Sequence, residues 1–317
     1  MGVQMKVGFI GLGNVGSKLS ASLLRNGVHL TVHDLESSVV DEFVRAGAKE
    51  GKSPERIMEM NDVVITCLPN PKISNEVVKK MLPHISEGKI WMEMSTTDER
   101  EVNSLGNLVT EAGGRAVDCP VSGGCHRADT GNISIFAGCD RETFEIVLPL
   151  LTIMGRSVLH TGSLGSASVL KVITNYMATA NLVSCCEALS VAKASGLDLN
   201  VAYEGIKISS GNSFVHETES QVILNGSRNI NFTMDLVAKD IGLFQEVAER
   251  LHVPVELNRL LIRIFQDGIQ KYGKREFSPN IIKRLEEATG LTVKAPGFPS
   301  EIIDDESEEL GAEIKVI

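Results

Sequence analysis

Two polar residues stand one helical turn apart in an apolar stretch of the chain. Lys171 and Asn175 belong to the segment GSLGSASVLKVITN, which begins at Gly162. A spacing of four residues places both side chains on one face of a helix. An amine and a carboxamide among aliphatic neighbours are hard to explain by packing alone. The pair therefore predicts a site that handles a polar ligand and a proton.

A glycine-rich turn near the amino terminus predicts a second ligand. Gly11, Gly13 and Gly16 form the pattern G-x-G-x-x-G directly after the apolar segment Lys6–Ile10. The first glycine permits a tight bend, the second permits close approach of a pyrophosphate, and the third permits close packing of the following helix. The pattern predicts a dinucleotide, and with the Lys171 pair it suggests redox chemistry on a small hydroxyl or carbonyl compound. The expected cofactor contacts in this turn are Gly11, Leu12, Gly13, Asn14, Val15 and Gly16.

The residue that ends the next apolar segment indicates which dinucleotide to expect. Asp34 follows Gly16 by eighteen residues, where a carboxylate accepts hydrogen bonds from the adenosine ribose hydroxyls. The same carboxylate repels a ribose phosphate, and the next residues, Leu35 and Glu36, supply no arginine to bind one. We therefore expect NAD as the cofactor, with NADP disfavoured.

Three further turns follow predicted strands. Cys67-Leu68-Pro69 and Ser95-Thr96-Thr97 stand where ligands of open α/β sheets bind, which makes Leu68, Pro69 and Thr96 candidate cofactor contacts, although plain strand-ending turns would look the same. Ser122-Gly123-Gly124 offers a hydroxyl and successive backbone N–H groups, an arrangement that suits a carboxylate. The other interpretation of this turn is a loop that needs glycine for flexibility.

Composition and charge exclude several classes of protein. The 317 residues carry a net charge of −10 and 43% hydrophobic residues, without the clustered Lys and Arg of a nucleic-acid surface. Six of the ten surplus negative charges lie in residues 301–317. The six cysteines show no C-x-x-C spacing, and the histidines form no metal-ligand set. With no signal peptide and no membrane-spanning run evident, we expect a cytoplasmic protein that binds neither membrane nor metal.

The pattern of elements predicts an α/β fold in two domains. Strand-like and helical segments alternate as far as residue 163, which indicates a doubly wound Rossmann dinucleotide-binding domain. An all-helical domain is expected over residues 164–292, and a loose acidic tail over residues 293–317. The predicted strands are Lys6–Ile10, Leu30–Asp34, Asp62–Leu68, Lys89–Ser95, Arg115–Cys119, Asn132–Ala137 and Ser157–His160. The predicted helices of the second domain are Ala167–Ser195, Asn200–Ile208, Leu236–Leu251, Val255–Tyr272 and one that begins at Ser278 and ends at Gly290.

Taken together, these motifs resemble the β-hydroxyacid dehydrogenase family, of the 3-hydroxyisobutyrate dehydrogenase type. The resemblance runs from Lys6 to about Gly290 and rests on GFIGLGNVG, the CLP and STT turns, DCPVSGG, the helix carrying Lys171, and MDLVAKD at residues 234–240. It implies an NAD-dependent oxidoreductase that interconverts a small β-hydroxy acid, or a sulfonate analogue, and its semialdehyde. An imine reductase on the same scaffold and a non-catalytic NAD(P)-binding homologue are the alternatives, and Lys171 argues against both.

The resemblance also assigns roles to individual residues. Lys171 is implied to be the catalytic acid and base, with Asn175 beside it. The substrate carboxylate is implied to bind Asn175 and the Ser122-Gly123-Gly124 turn. Lys239 is implied to lie at the nicotinamide end of the cofactor, and Asp240 is given a supporting role.

This chain departs from the family pattern after the Ser-Gly-Gly turn, where His126 and Arg127 replace small residues. Arg127 is either a solvated loop charge, which we favour, or a ligand for a second anionic group on the substrate. Cys119 stands where relatives usually have alanine and is expected to be buried without consequence. A polar cluster over Ser209–Glu217 either lines the site or caps helices.

The long predicted helix over Ala167–Ser195 carries apolar residues on all sides, more than a small helical domain can bury. We therefore expect a homodimer or homotetramer. The acidic tail is expected to stay outside that assembly, because desolvating its carboxylates without partners is costly.

Overall fold

The computed structural model describes residues 5–316 and divides them into two compact units. The first unit contains the residues up to Lys171 together with those from Asp304 onward, and the second is Val172–Ile303. One helix, α8 (Ser166–Ala194), contributes residues to both units. The sequence had suggested a change of domain at residue 163, a few residues before this helix begins.

The first unit is built on a ten-stranded mixed sheet within residues 5–316. Its order is β10-β9-β8-β6-β5-β4-β1-β2-β3, with β7 attached to β8. Neighbours from β3 to β6 pair in parallel, as expected for a doubly wound sheet, whereas β8 runs antiparallel to β6 and β7. The strands are β1 Val7–Ile10, β2 Leu30–His33, β3 Lys49–Glu50, β4 Val63–Thr66, β5 Ile90–Glu93, β6 Arg115–Asp118, β7 Val121–Ser122, β8 Ile133–Gly138, β9 Gly155–Gly162 and β10 Ala312–Glu313.

Helices cover both faces of this sheet, and aliphatic side chains fill the space between them. Strand β4 is buried along its whole length, and Phe9, Met92 and Phe144 are fully enclosed in the core. Side-chain caps fix several helix starts: Ser53 and Asn70, for example, accept backbone N–H groups, and each is followed by proline. The helices are α1 Gly16–Arg25, α2 Ser37–Arg45, α3 Pro54–Met60, α4 Pro71–Met81, α5 Glu99–Glu111, α6 Cys125–Asp129 and α7 Arg141–Met154, with a 3₁₀ turn at Leu82–His84.

The second unit is helical, as predicted, and has its own core. Leu189, Met234 and Phe265 are fully buried within it. Besides its part of α8, the unit contains α9 Leu199–Lys207, α10 Phe214–Asn225, α11 Met234–Arg250, α12 Glu256–Tyr272, a 3₁₀ turn Ser278–Ile282 and α13 Lys283–Thr289, which ends at a left-handed Gly290. The structure adds α10 to the predicted helices. Within residues 5–316, no helix is both long and apolar enough to span a membrane.

The prediction of a loose acidic tail is wrong for the segment Asp304–Glu313, which we call the strap. The strap packs on the first unit, and its last two residues form β10, which pairs in parallel with β9. Close packing requires Gly311, because a Cβ atom there would lie 1.9 Å from the carbonyl oxygen of Gly155.

Arginines on the first unit explain why so acidic a segment is ordered. The ion pairs are Arg25 with Glu308, Arg127 with Glu306, Arg141 with Glu313 and Arg156 with Glu309. Composition alone predicts disorder because it counts the acids without their partners. Here the partners lie more than a hundred residues away in sequence and become neighbours only in the folded unit.

Candidate active site

The glycine-rich turn between β1 and α1 has the geometry that a dinucleotide requires. Gly11 adopts a φ of +99°, and a Cβ atom at this position would lie 2.2 Å from the carbonyl oxygen of Cys67. A Cβ atom on Gly16 would lie 2.0 Å from the carbonyl oxygen of Gly11, so the helix can approach only because both residues are glycine. Gly13, by contrast, is exposed and faces open space.

Asp34 closes this turn from the neighbouring strand. Its Oδ2 atom accepts a hydrogen bond of 2.6 Å from the Leu12 N–H, and its Oδ1 atom accepts one of 2.9 Å from the Glu36 N–H. The carboxylate therefore lies beside the glycine turn, as the sequence spacing predicts. An open approach at Gly13 and an acceptor at Asp34 fit the pyrophosphate and ribose of a nicotinamide dinucleotide.

The CLP and STT turns are joined by a buried hydrogen-bond chain. The Leu68 N–H donates to Ser95 Oγ at 2.7 Å, and the Ser95 hydroxyl donates to Glu93 Oε1. The Ser95 N–H donates to the same carboxylate oxygen at 2.9 Å. Burial raises the pKa of Glu93, and the hydrogen bonds from Ser95 oppose that shift. Glu93 was not singled out in the sequence, yet it fixes both turns relative to each other.

The exposure of the side chains in these turns separates structural from ligand-facing positions. Thr97 is buried, whereas Thr96 is half-buried and Pro69 is exposed. Burial raises the pKa of Cys67 to about 12, so its thiol stays protonated and is no nucleophile at neutral pH. Leu68, Pro69 and Thr96 remain the residues of these turns proposed to contact a cofactor.

The Ser-Gly-Gly turn follows β6 closely along the chain. Ser122 ends the short strand β7 opposite Ser134 of β8. Gly123 and Gly124 follow with φ values of +131° and +89°, conformations that favour glycine. Cys119 is fully buried ahead of the turn, as expected.

Asp118 connects this turn to the helix that carries Lys171. The residue ends β6, four positions before Ser122, and its side chain is buried. Its Oδ2 atom accepts the Ser168 N–H at 2.7 Å, and its Oδ1 atom accepts the Ser168 hydroxyl at 2.8 Å. Because Ser168 lies in the first turn of α8, Asp118 fixes the start of that helix. Lys171 follows three residues later and is only 8% exposed.

A second carboxylate organises the polar residues of the helical unit. Asn175 Nδ2 donates a hydrogen bond of 2.5 Å to Asp240 Oδ2, and the Lys239 ammonium lies 2.7 Å from Asp240 Oδ1. Asp240 is buried, so both contacts are partly shielded from water. One carboxylate thus orients the Asn175 carboxamide and holds Lys239 beside it, and the supporting role implied for Asp240 stays a prediction.

Contacts within the chain bear on two sequence interpretations that were left open. Arg127 lies in α6 and not in a loop, and its guanidinium binds Glu306 of the strap at 2.8 Å. In the Ser209–Glu217 cluster, Ser213 caps α10 by accepting the His216 N–H at 3.0 Å. The Asn212 amide donates to Glu217 at 2.7 Å. Capping thus explains the position of Ser213, and a role of the cluster at the site stays a prediction.

Two family models match this chain. Residues 6–162 match the family model described as the NAD binding domain of 6-phosphogluconate dehydrogenase. Residues 165–285 match the one described as NAD-binding of NADP-dependent 3-hydroxyisobutyrate dehydrogenase.

Individual proteins match over most of their length. The 2-(hydroxymethyl)glutarate dehydrogenase of Eubacterium barkeri is 31% identical over 92% of this chain and 98% of its own. The NAD-dependent L-serine dehydrogenase of Pseudomonas aeruginosa is 32% identical over 90% and 98%. The structure of Mycobacterium tuberculosis 3-hydroxyisobutyrate dehydrogenase with L-serine shares the fold, with a TM-score of 0.81, 23% identity, and coverage of 89% of this chain and 99% of that one.

An imine reductase from Myxococcus stipitatus is more distant in fold, with a TM-score of 0.61 and 15% identity over 89% of this chain and 99% of that one. The full-length relatives, the two matched domains and the order of the motifs lead to one assignment. This chain belongs to the β-hydroxyacid dehydrogenase family and is a nicotinamide-dinucleotide-dependent oxidoreductase.

Proposed function

We propose that the chain is an NAD-dependent dehydrogenase that oxidises the hydroxyl group of a small β-hydroxy acid or sulfonate analogue to its semialdehyde, and catalyses the reverse reduction. The observation that carries this proposal is the buried Lys171 on a helix whose first turn is bonded to Asp118. That bond ties the amine to the strand that leads into the Ser122-Gly123-Gly124 turn. Catalysis of this kind depends on holding the reacting groups at fixed distances.

In the proposed reaction, Lys171 accepts the substrate hydroxyl proton during oxidation and returns it during reduction. The amine must be partly neutral to act as a base. The Ser122-Gly123-Gly124 turn binds the substrate carboxylate through its hydroxyl and N–H groups, and Asn175 is proposed to bind the same group. NAD, when bound, supplies the two-electron oxidant. Asp240 keeps the Asn175 carboxamide in one orientation, and Lys239 is proposed to lie at the nicotinamide end.

The test is an activity screen of the full chain with NAD. The panel contains 3-hydroxyisobutyrate, L-serine, glycerate, threonate and a sulfonated analogue, and reduced nicotinamide is followed by absorbance. Turnover of at least one acid is expected. A cyclic imine with reduced cofactor is run in parallel, and turnover of the imine without turnover of any acid would favour the imine reductase alternative.

Cofactor choice is proposed to depend on Asp34, whose carboxylate lies at the glycine turn. We expect NAD to be preferred over NADP by about tenfold or more in kcat/KM, because a ribose phosphate would meet a negative charge there. The double variant Asp34→Ser, Leu35→Arg should shift the preference toward NADP, because Leu35 is almost fully exposed and an arginine fits there.

The matched control for this experiment is Glu36→Gln, which removes a neighbouring carboxylate that does not bind the turn. It should leave the cofactor preference close to that of the wild type. Equal kcat/KM values for NAD and NADP in the wild type would contradict the role given to Asp34.

We also propose that the chain forms a homodimer or homotetramer through its helical unit. Leu182 and Leu189 of α8 are buried within the chain, but Met177 and Val191 are 56% and 69% exposed. Exposed apolar side chains on a long helix are typical of surfaces that a second copy covers. Light scattering at micromolar concentration should give a dimer or tetramer mass, and a monomer would refute this proposal.

A further inference from the structure

The strap contacts the element that directly follows the Ser122-Gly123-Gly124 turn. Glu306 binds Arg127 of α6 at 2.8 Å, and its carbonyl oxygen accepts the Asn132 amide at 2.9 Å. Asp304 accepts the same amide at 2.8 Å and also the Thr130 hydroxyl. Asn132 is buried, so these bonds replace water that the amide has lost. The first half of the strap therefore holds both α6 and the residues that follow it.

The Arg127 side chain contacts both the strap and the Ser122-Gly123-Gly124 turn. Its aliphatic stem lies against Gly123, because a Cβ atom on Gly123 would be 3.4 Å from Arg127 Cδ and 3.8 Å from Arg127 Cβ. Gly123 and Gly124 have no side chains of their own, and their positive φ values are reached by few other residues. The shape of such a turn depends on what packs on it.

We propose that Glu306 is a positioning residue for the Ser122-Gly123-Gly124 turn, acting through Arg127, and that the strap thereby sets the affinity for the hydroxy acid. This inference rests on the proposed function of that turn. The strap lies beyond residue 285, where the second family model ends.

Four variants of the full chain test the proposal. Glu306→Gln removes the strap carboxylate that binds α6, and Asp304→Asn removes the one that binds Thr130 and Asn132 just after it. Glu309→Gln is the matched control, since Glu309 lies on the same strap but binds Arg156 at the start of β9, at 3.0 Å. The measurements are the KM for 3-hydroxyisobutyrate and for L-serine, the KM for NAD, and amide hydrogen exchange in peptides covering residues 121–132.

We expect Glu306→Gln and Asp304→Asn each to raise the KM for the hydroxy acid about threefold to tenfold, because the contacts are partly exposed and individually modest. The KM for NAD should not change, and exchange in residues 121–132 should become faster. Glu306→Asp, which keeps the charge, should restore most of the affinity. Glu309→Gln should behave as the wild type in every measurement.

Two outcomes would overturn the proposal. One is wild-type KM and exchange in Glu306→Gln, and the other is an equal effect of Glu309→Gln, which would make the strap a general stabiliser. Hydrogen exchange needs no turnover. If the wild type oxidises no acid in the panel, the proposed function fails, while faster exchange in Glu306→Gln would still support the structural link.

Discussion

Replacing Lys171 with alanine is expected to lower kcat/KM about a hundredfold to ten-thousandfold while leaving NAD binding unchanged. The substitution removes the proposed proton acceptor, and general acid–base catalysis contributes roughly that range. Lys171→Arg should be nearly as inactive, since a guanidinium keeps its proton at working pH. Steady-state kinetics with the best acid of the panel, together with NAD titration by fluorescence, measure the two effects separately.

The matched control for this prediction is Lys193→Ala, which removes a lysine from the last turn of the same helix. It should retain wild-type kinetics. A Lys171→Ala enzyme within threefold of the wild type in kcat/KM would end the assignment of Lys171 as acid and base. Loss of NAD binding in that variant would show that the lysine positions the cofactor instead.

The second large effect is expected at Asp118. Asp118→Asn leaves one carbonyl oxygen for the two donors of Ser168, so the first turn of α8 loses an anchor. A displacement of Lys171 by a fraction of an ångström suffices to impair proton transfer, and we expect kcat to fall about tenfold to a hundredfold. The KM for NAD should stay within about twofold, because the variant leaves the glycine turn intact.

Asp140 provides a matched control for Asp118. It accepts the Thr143 N–H at 2.8 Å and the Thr143 hydroxyl at 2.6 Å at the start of α7, which carries none of the proposed site residues. Asp140→Asn leaves one carbonyl oxygen for the two donors of Thr143. Because asparagine caps helices about as well as aspartate, stability should change little, and so should kcat. If both variants lose activity equally, the effect of Asp118 is one of general stability.

The pH dependence of stability provides a further test of the role of Asp118. Burial raises the pKa of Asp118 to about 7, from an ordinary value near 3.8. The native state therefore binds this proton more tightly than the unfolded chain, and the free energy of unfolding decreases as pH rises from about 4 to about 7. Asp118→Asn carries no titrating group here, so urea denaturation should show a flatter dependence over this window.

Local patterns in the sequence predicted those parts of the site that are themselves local. The glycine turn needs particular residues at fixed short spacings, and the Lys171 pair needs only helical periodicity, so both are visible without a structure. Helix α10 escaped prediction because His216 and Glu217 read as a polar cluster between helices, whereas Ser213 caps the helix that contains them.

The contacts that sequence reasoning missed join residues far apart in the chain. Asp118 and Ser168 are fifty positions apart, Asn175 and Asp240 sixty-five, and Arg127 and Glu306 one hundred and seventy-nine. Pairings between residues so far apart leave no periodic pattern in the sequence. Strands β7 and β10 have two residues each, too few for an alternation to appear.

The strap also constrains how the protein is made. The first unit needs Asp304–Glu313 to cover the edge of its sheet, yet these residues are synthesised only after the whole helical unit. During translation, β9 is an uncovered edge strand, and such edges promote pairing with other chains. The amino-terminal unit thus begins to fold first and is completed last, so a nascent chain arrested before residue 304 should be the species most prone to aggregate.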